Sequence, residues 1–313
     1  MGSNHRVWIS LTGGLGNQLF QLAAAYSLDS DEIFLESRFG MPRKTKNIPD
    51  ILYFELPEKI KLGKVDPEPL FFRKVVGYLL RMGIKPKKFE RNRLVKSLIV
   101  LTSKVLISFR VGRCVDIVTA NDVGYSPIQT RSRNIFLIGY FQTWRFTELP
   151  YVRNSLNSLT LKEKSPLLIE HERFALEELP LVVHVRLGDY RQENDFGLLS
   201  PQYYESINEM WSSGAYKKLW LFSDEPTEAL GLIPANLMKH TRVIDDKSEA
   251  PCVTLELMRL GYGYVIANSS LGWWGAMLSR TENPRITAPQ PWFKSTDEPK
   301  DLIPVNWQRK FGF

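Results

Sequence analysis

Only two cysteines, Cys114 and Cys252, occur in the 313 residues. Far apart and unaccompanied, they supply neither a disulfide framework nor a thiolate metal site, and they point to a reducing compartment. No stretch approaches the roughly 20 uninterrupted apolar residues of a membrane span. Repeats and low-complexity tracts are missing as well, which removes solenoids, collagen, coiled coils and wholesale disorder. The first residues, Met1-Gly2-Ser3-Asn4-His5-Arg6, run straight into strand-like Val7-Trp8-Ile9-Ser10-Leu11 without a signal-peptide core, so a cytoplasmic location is expected. Nor is there an acidic excess. Lys plus Arg number 41 against 34 Asp plus Glu, a formal charge of +7 that favours phosphate-bearing partners: nucleotides, nucleic acid or an anionic membrane face. What remains is 43% hydrophobic and 24% charged, a globular balance, and the length sets an expectation of two domains.

The pattern divides the chain near residues 155–170, giving expected domains 1–160 and 161–313. The first half opens with strand, Gly-rich turn and helix, and Ile33–Leu35 and Ile135–Tyr140 read as further strands. Pro, Lys and Glu between Phe39 and Pro69 suggest a loop-rich insertion. Residues 71–113, expected as a basic helical insertion, hold twelve Lys or Arg and a single acid, Glu90, interrupted by apolar runs such as Val75–Leu80 and Leu98–Ile107. The second half alternates regularly. Strands are expected at Leu181–Val185, Leu219–Phe222, Arg242–Ile244 and Tyr264–Ala267. Helices are expected after Ser200-Pro201, over Val253–Leu260 and over Leu271–Leu278. Continuous apolar strands alternating with helices imply a parallel sheet covered on both faces.

Ligands of open α/β sheets bind beyond the carboxyl ends of the strands, so residues expected there matter most. Arg186 ends the Leu181–Val185 strand, with Gly188 permitting a tight turn before Asp189. An arginine so placed can fork two N–H groups onto a phosphate, or simply pair with Asp189. His184, inside the apolar run, has the pattern of a core histidine. Asp224 stands at the tip of the next strand, where it can serve a ligand or the following turn. Asn268-Ser269-Ser270 end a further strand and open a helix, an arrangement suited to an anion. Trp273 and Trp274 read as packing residues. In the first half, Gly13-Gly14-Leu15-Gly16-Asn17-Gln18 lies between strand and helix. It has no Lys-Ser/Thr pair for a P-loop, and Leu19 replaces the last glycine of a dinucleotide fingerprint. Close approach of Gly14 and Gly16 to a ligand, with the amides of Asn17 and Gln18 at the helix start, survives that comparison.

The series Gly-Gly-Leu-Gly-Asn-Gln-Leu-Phe-Gln at 13–21, Gly-Tyr-Phe-Gln at 139–142, His-Val-Arg-Leu-Gly-Asp-Tyr at 184–190, Phe-Ser-Asp at 222–224 and Asn-Ser-Ser-Leu-Gly-Trp-Trp-Gly-Ala at 268–276 closely resembles the α-1,2-fucosyltransferases of glycosyltransferase family eleven, in their bacterial form. The resemblance runs from about residue 7 to 280 and is weakest through the basic segment. It implies a GT-B-like fold, two Rossmann-like α/β domains facing across a cleft, the first serving the acceptor and the second binding GDP-L-fucose. It also implies that Arg186 holds the donor's β-phosphate, that Asn17 reaches the donor from the opposite domain, and that Gly14, Gly16, Gln18, His184, Gly188, Asp224, Asn268, Ser269 and Ser270 line the donor site. Where the family usually has a second arginine, this chain has Leu187.

The implied reaction is an inverting transfer of L-fucose to the 2-hydroxyl of a terminal galactoside in a surface glycan such as lipopolysaccharide O-antigen. Asp189 is the first candidate for the base that accepts the acceptor's proton. No metal and no cofactor beyond the donor substrate are expected. Asp29-Ser30-Asp31 matches the Asp-x-Asp of metal-dependent transferases, yet it precedes a strand instead of ending one and reads as a turn. The basic segment also gives an expectation of peripheral contact of the enzyme with the anionic inner membrane face; the competing readings are a non-catalytic nucleotide-sugar-binding or membrane-surface protein, and a transferase of the same fold with another donor or acceptor. Nucleic-acid binding is not expected, because the aromatics do not interleave with the charges as stacking platforms.

Overall fold

The computed structural model describes residues 5–36, 49–63, 101–109, 112–120, 124–125, 127–128, 130 and 132–313. They form two compact units, one of Met1–Thr160 with Pro299–Leu302, the other of Leu161–Glu298 with Ile303–Phe313. The carboxyl-terminal stretch thus does not stay wholly within the second half, as the sequence division has it.

The strands are β1 (Arg6–Ser10), β2 (Glu32–Glu36), β3 (Phe54–Glu55), β4 (Ile60–Leu62), β5 (Asp116–Thr119), β6 (Asn134–Ile138), β7 (Thr160–Leu161), β8 (Leu181–Val185), β9 (Leu219–Ser223), β10 (Thr241–Val243), β11 (Gly263–Val265), β12 (Arg285–Gln290) and β13 (Gln308–Phe311). The first unit holds a five-stranded sheet in the order β4-β2-β1-β6-β5, parallel throughout. Its central strand, β1, is apolar on both faces because Val7 and Ile9 are fully buried and Trp8 nearly so. The Leu15–Tyr26 helix that follows is buried almost all round, from Leu15 through Tyr26, as a crossover between two parallel strands must be.

The second unit holds a six-stranded parallel sheet in the order β10-β9-β8-β11-β12-β13. Every residue of β8 and of β9 is buried. The helix over Pro166–Glu178 begins where Ser165 accepts the Leu168 N–H at 3.3 Å, with Pro166 in the first turn. One core cluster joins Val183, Val185 and Leu187 to Leu221, Val265, Tyr203 and Tyr204. From β8 the chain builds outward to β9 and β10 on one side, then returns to β11, β12 and β13 on the other. The carboxyl ends of β8 and β11 therefore flank a topological switch point, where open α/β sheets leave room for a ligand. In the first unit β1 and β6 flank the corresponding point.

One sequence expectation changes. The stretch 39–69 contains β4, which pairs with β2 through Ile60–Leu62; with three residues and one of them buried, it is too short for a period-2 pattern to show. The apolar run 98–107 overlaps helical residues 101–109. Residues 64–100, with most of the basic segment, lie outside the described residues. Among the described residues no helix is long and apolar enough to cross a membrane.

Candidate active site

Arg186 leaves the sheet one residue beyond β8, and the chain turns at Gly188. Here the backbone has no room for a side chain, since a Cβ on Gly188 would lie 2.7 Å from Asp224 Oδ2. That carboxylate, delivered by the end of the adjacent β9, accepts the Leu187 N–H at 3.0 Å through Oδ1. Its Oδ2 stands 3.4 Å from Arg186 Nε. Asp189 Oδ1 accepts from the same Nε at 2.9 Å. Two carboxylates thus hold the inner nitrogen of the guanidinium, and its terminal N–H groups have no bonded partner among the described residues. Burial alone would lower the Arg186 pKa, but the Asp189 hydrogen bond and the Asp224 charge outweigh it and raise the value, so the cation is permanent. The side chain is 34% exposed, enough for an anion to reach it.

Tyr190, to which the sequence reading gave no role, braces this arrangement. Its ring lies 5.7 Å from Arg186 Cζ and stacks on Phe196 at 4.9 Å and 24°. Its hydroxyl donates to the Asn268 carbonyl at 3.2 Å. Burial pushes its pKa up to about 12 despite the nearby Arg186 cation, so the group remains a phenol and a donor. No spacing rule marks such a residue in advance; only the fold brings its ring over the arginine.

Asn268 lies three residues beyond the end of β11. Its buried side chain donates to the Phe196 carbonyl at 3.0 Å and the Trp292 carbonyl at 3.2 Å, tying two loops together. Ser269 is the N-cap of the Ser270–Met277 helix but places no side-chain oxygen on the first-turn N–H groups. Those groups have no partner within the helix, which leaves an anion-receptive terminus beside β8. His184 is 5% exposed in the middle of β8, and its Nδ1 has no hydrogen-bond partner. It packs against the first turn of that helix at Gly272, where a Cβ would come within 2.5 Å of Nδ1. Burial first, then the Arg186 charge, lower its pKa to about 4, with Asp224 opposing, so the ring is neutral. Leu187 is 5% exposed inside the core cluster, so this position contributes packing rather than charge. Arg191, the nearest further arginine in sequence, is taken up by Glu225 and Glu228. Trp273 and Trp274 are fully buried against each other, ring centroids 4.7 Å apart. A cavity of about 590 Å³ is lined by Tyr190, Arg191, Asn194, Lys294 and Ser295.

The first unit joins its two motifs separately. Gly13 has φ +73°, the left-handed region that favours glycine. Gly14 is the N-cap of the Leu15–Tyr26 helix and Gly16 lies in its first turn; a Cβ on Gly14 would meet nothing within 4 Å, so protein packing does not demand glycine there. Asn17 Oδ1 accepts from Gln142 Nε2 at 2.6 Å. Gln18 is fully buried, donating to the Gly13 carbonyl at 3.0 Å and accepting the Ile51 N–H at 3.0 Å, which commits its amide to the loop. Gln21 knits the two strand ends, accepting the Thr12 N–H at 3.2 Å and donating to Thr12 Oγ1 at 2.7 Å and the Gly139 carbonyl at 2.8 Å.

Asp29 and Asp31 occupy the helix-to-strand turn. Asp29 has φ +45°, and Asp31 Oδ2 accepts the His5 N–H at 2.7 Å. Among the described residues no group of three or more His, Cys, Asp or Glu is placed to hold a metal ion.

No protein-family model matches the sequence. The chain is 25% identical over 318 residues to the O-antigen biosynthesis glycosyltransferase WbnK of Escherichia coli, covering 93% of this chain and 96% of that protein. It is 29% identical over 133 residues to an α-1,2-colitosyltransferase of Escherichia coli, covering 41% of this chain and 46% of that one. Among solved structures, the NodZ α-1,6-fucosyltransferase soaked with GDP-fucose superposes with a TM-score of 0.50 at 14% identity, covering 95% of this chain and all of that one. The chain is thus similar over nearly its whole length to a glycosyltransferase of O-antigen biosynthesis, and its two parallel-sheet units have the GT-B-like fold of a fucosyltransferase.

Proposed function

We propose that this chain is an inverting, metal-independent galactoside α-1,2-fucosyltransferase of the family-eleven type, moving L-fucose from GDP-L-fucose to a surface glycan such as lipopolysaccharide O-antigen. The carrying observation is Arg186, fixed through Nε by Asp189 and Asp224 at the β8–β11 switch point with its outer N–H edge uncommitted. The series of motifs at 13–21, 139–142, 184–190, 222–224 and 268–276 supports the family, and the similarity to WbnK and the NodZ-like fold support a sugar transfer. In this reading the second unit binds the donor and the first serves the acceptor.

In the reaction the acceptor's 2-hydroxyl oxygen forms a bond to the fucose anomeric carbon as the bond from that carbon to the β-phosphate oxygen breaks. The hydroxyl proton passes to a base, and GDP leaves with the electron pair. Negative charge grows on the departing diphosphate, and fixed donors at that spot lower the barrier because they need no reorganisation. Arg186 and the start of the Ser270–Met277 helix fill those roles. Asp189 is assigned as the base; since it also holds Arg186, the test is the pH profile of Asp189→Asn. Transfer retained by that variant at every pH removes the base assignment.

The deciding experiment is a donor screen with GDP-L-fucose, GDP-mannose and UDP-galactose against β-galactoside acceptors, followed by linkage analysis. Fucose in a 1→2 linkage is the expected product, and absence of turnover with GDP-L-fucose overturns the reading. The partial similarity to a colitosyltransferase favours one second reading, a colitosyl donor, which the same screen detects when GDP-colitose is included.

A further inference from the structure

Two carboxamides meet where β1 and β6 end. Asn17 lies in the first turn of the Leu15–Tyr26 helix, and Gln142 lies four residues beyond β6. One hydrogen bond joins them, with Gln142 Nε2 donating to Asn17 Oδ1 at 2.6 Å. Both residues are half-buried, and Gly13 and Gly14 beside them are exposed. A carboxamide held by its oxygen keeps its nitrogen free to donate elsewhere. Asn17 Nδ2 has no hydrogen-bond partner among the described residues, and it lies so close over Gly13 that a Cβ there would collide with it. The segment that delivers Gln142 is tied on both sides. The Gly139 carbonyl accepts from Gln21 Nε2 at 2.8 Å. The Thr143 hydroxyl donates to the Asp301 carbonyl at 2.7 Å, and the Trp144 N–H donates to the same carbonyl at 3.1 Å. Between these ties Phe141, 4% exposed, has φ +53°, a left-handed conformation that a bulky aromatic residue rarely adopts. Such a residue persists only where its surroundings over-determine it, and strain of this kind gathers at working sites. Here it falls one residue before the amide that holds Asn17.

We infer that Gln142 is a positioning residue: its N–H fixes the Asn17 carboxamide so that Nδ2, and not Oδ1, is presented to an oxygen of the substrate. The inference rests on the proposed transfer reaction and adds a device of orientation to it, since an unheld amide presents its donor and acceptor ends in turn. Gln142 acts through Asn17 and not on the reacting atoms. The ionisable groups of the adjoining segments are engaged elsewhere. Arg145 pairs with Asp301 and Glu148. Asp50, its pKa raised by burial, accepts the Leu15 N–H.

The test is Gln142→Glu, a near-isosteric change that replaces a donor with an acceptor. The ionised carboxylate holds Asn17 by Nδ2 and turns Oδ1 toward the substrate. At neutral pH kcat/KM is therefore expected to fall at least about tenfold, with the melting temperature unchanged. Protonation restores an O–H that donates to Oδ1, so the ratio of variant to wild-type rates is expected to rise as pH falls toward about 5. Asp50 titrates in both proteins and cancels in that ratio. In an Asn17→Ala background the same change is expected to cost less than about twofold, because no amide is left to orient. A carboxylate that merely repels an anionic substrate, or a lost tie that merely loosens the loop, costs the same in both backgrounds. Should Gln142→Glu lower the melting temperature, Gln142→Met takes its place in the cycle, with a loss expected only where Asn17 is present. Wild-type turnover by the variant at neutral pH, equal losses in the two backgrounds, or a ratio that does not change with pH overturns the inference and leaves the reaction standing. Absence of wild-type turnover with GDP-L-fucose overturns the reaction instead. If another donor is turned over, the same variants decide the inference with that donor, and absence of turnover with every donor overturns both.

Discussion

In the proposed reaction Arg186 acts through the edge it leaves open. Asp189 and Asp224 share its Nε, at 2.9 and 3.4 Å, so the fork formed by its outer nitrogens is oriented before any ligand arrives. A lysine can supply the charge but not the fork, so Arg186→Lys is expected to retain donor binding better than Arg186→Ala while recovering little of the rate. His184 belongs to the same strand and makes a separate prediction. Its folded pKa of about 4 lies below the ordinary 6.5 because burial disfavours the charged ring. The unfolded chain therefore takes up the proton first as pH falls. The stability held by a neutral His184 is complete above about pH 6.5 and is lost progressively down to about pH 4, a difference on the order of 3 kcal/mol. Melting temperatures of wild type and His184→Gln compared across this range are expected to show the acid-side loss in the wild type and a smaller one in the variant. Parallel curves contradict the account of a buried neutral ring.

At the scale of elements, legibility in the sequence followed burial. Strands such as β8 and β9, buried at every residue, announce themselves as unbroken apolar runs. β12 carries Pro289 and β13 is the polar Gln308–Phe311 edge, and neither has the composition of a central strand. Arg186, Gly188 and Asp224 were placed at strand ends by pattern alone. Their mutual contacts, and the brace from Tyr190, depend on β8 lying beside β9 and β11, an order the linear chain does not carry. Asn268 and Gln18 are polar residues in a ligand-like pattern whose side chains also bond neighbouring backbone groups, contacts that the linear pattern does not show. Two predictions belong here. Gly188→Ala places a Cβ 2.7 Å from Asp224 Oδ2, which displaces that carboxylate from the Leu187 N–H; transfer is expected to fall at least tenfold with the melting temperature little changed, and normal activity contradicts the strict fit. Gln21→Ala leaves buried partners on the β1 and β6 ends unsatisfied, at about 1–3 kcal/mol for each. Denaturant titration is expected to show a loss on the order of 2–4 kcal/mol, and an unshifted midpoint removes Gln21 as the tie.

For the whole molecule, the basic charge of +7, the two parallel-sheet units and the fixed Arg186 cation at a switch point are consistent with the proposed metal-independent transfer from a nucleotide sugar. Asp29 and Asp31, the one sequence pattern that suggested otherwise, are engaged in a turn. Full activity in EDTA is therefore expected, and strict dependence on added divalent ion contradicts this part of the account. The role of Arg186 is decided by the turnover of GDP-L-fucose by purified wild-type and Arg186→Ala protein in one assay, with melting temperatures taken alongside. A drop in kcat of about 10²- to 10³-fold is expected in a variant that remains folded. Near-normal turnover by that variant would contradict that role.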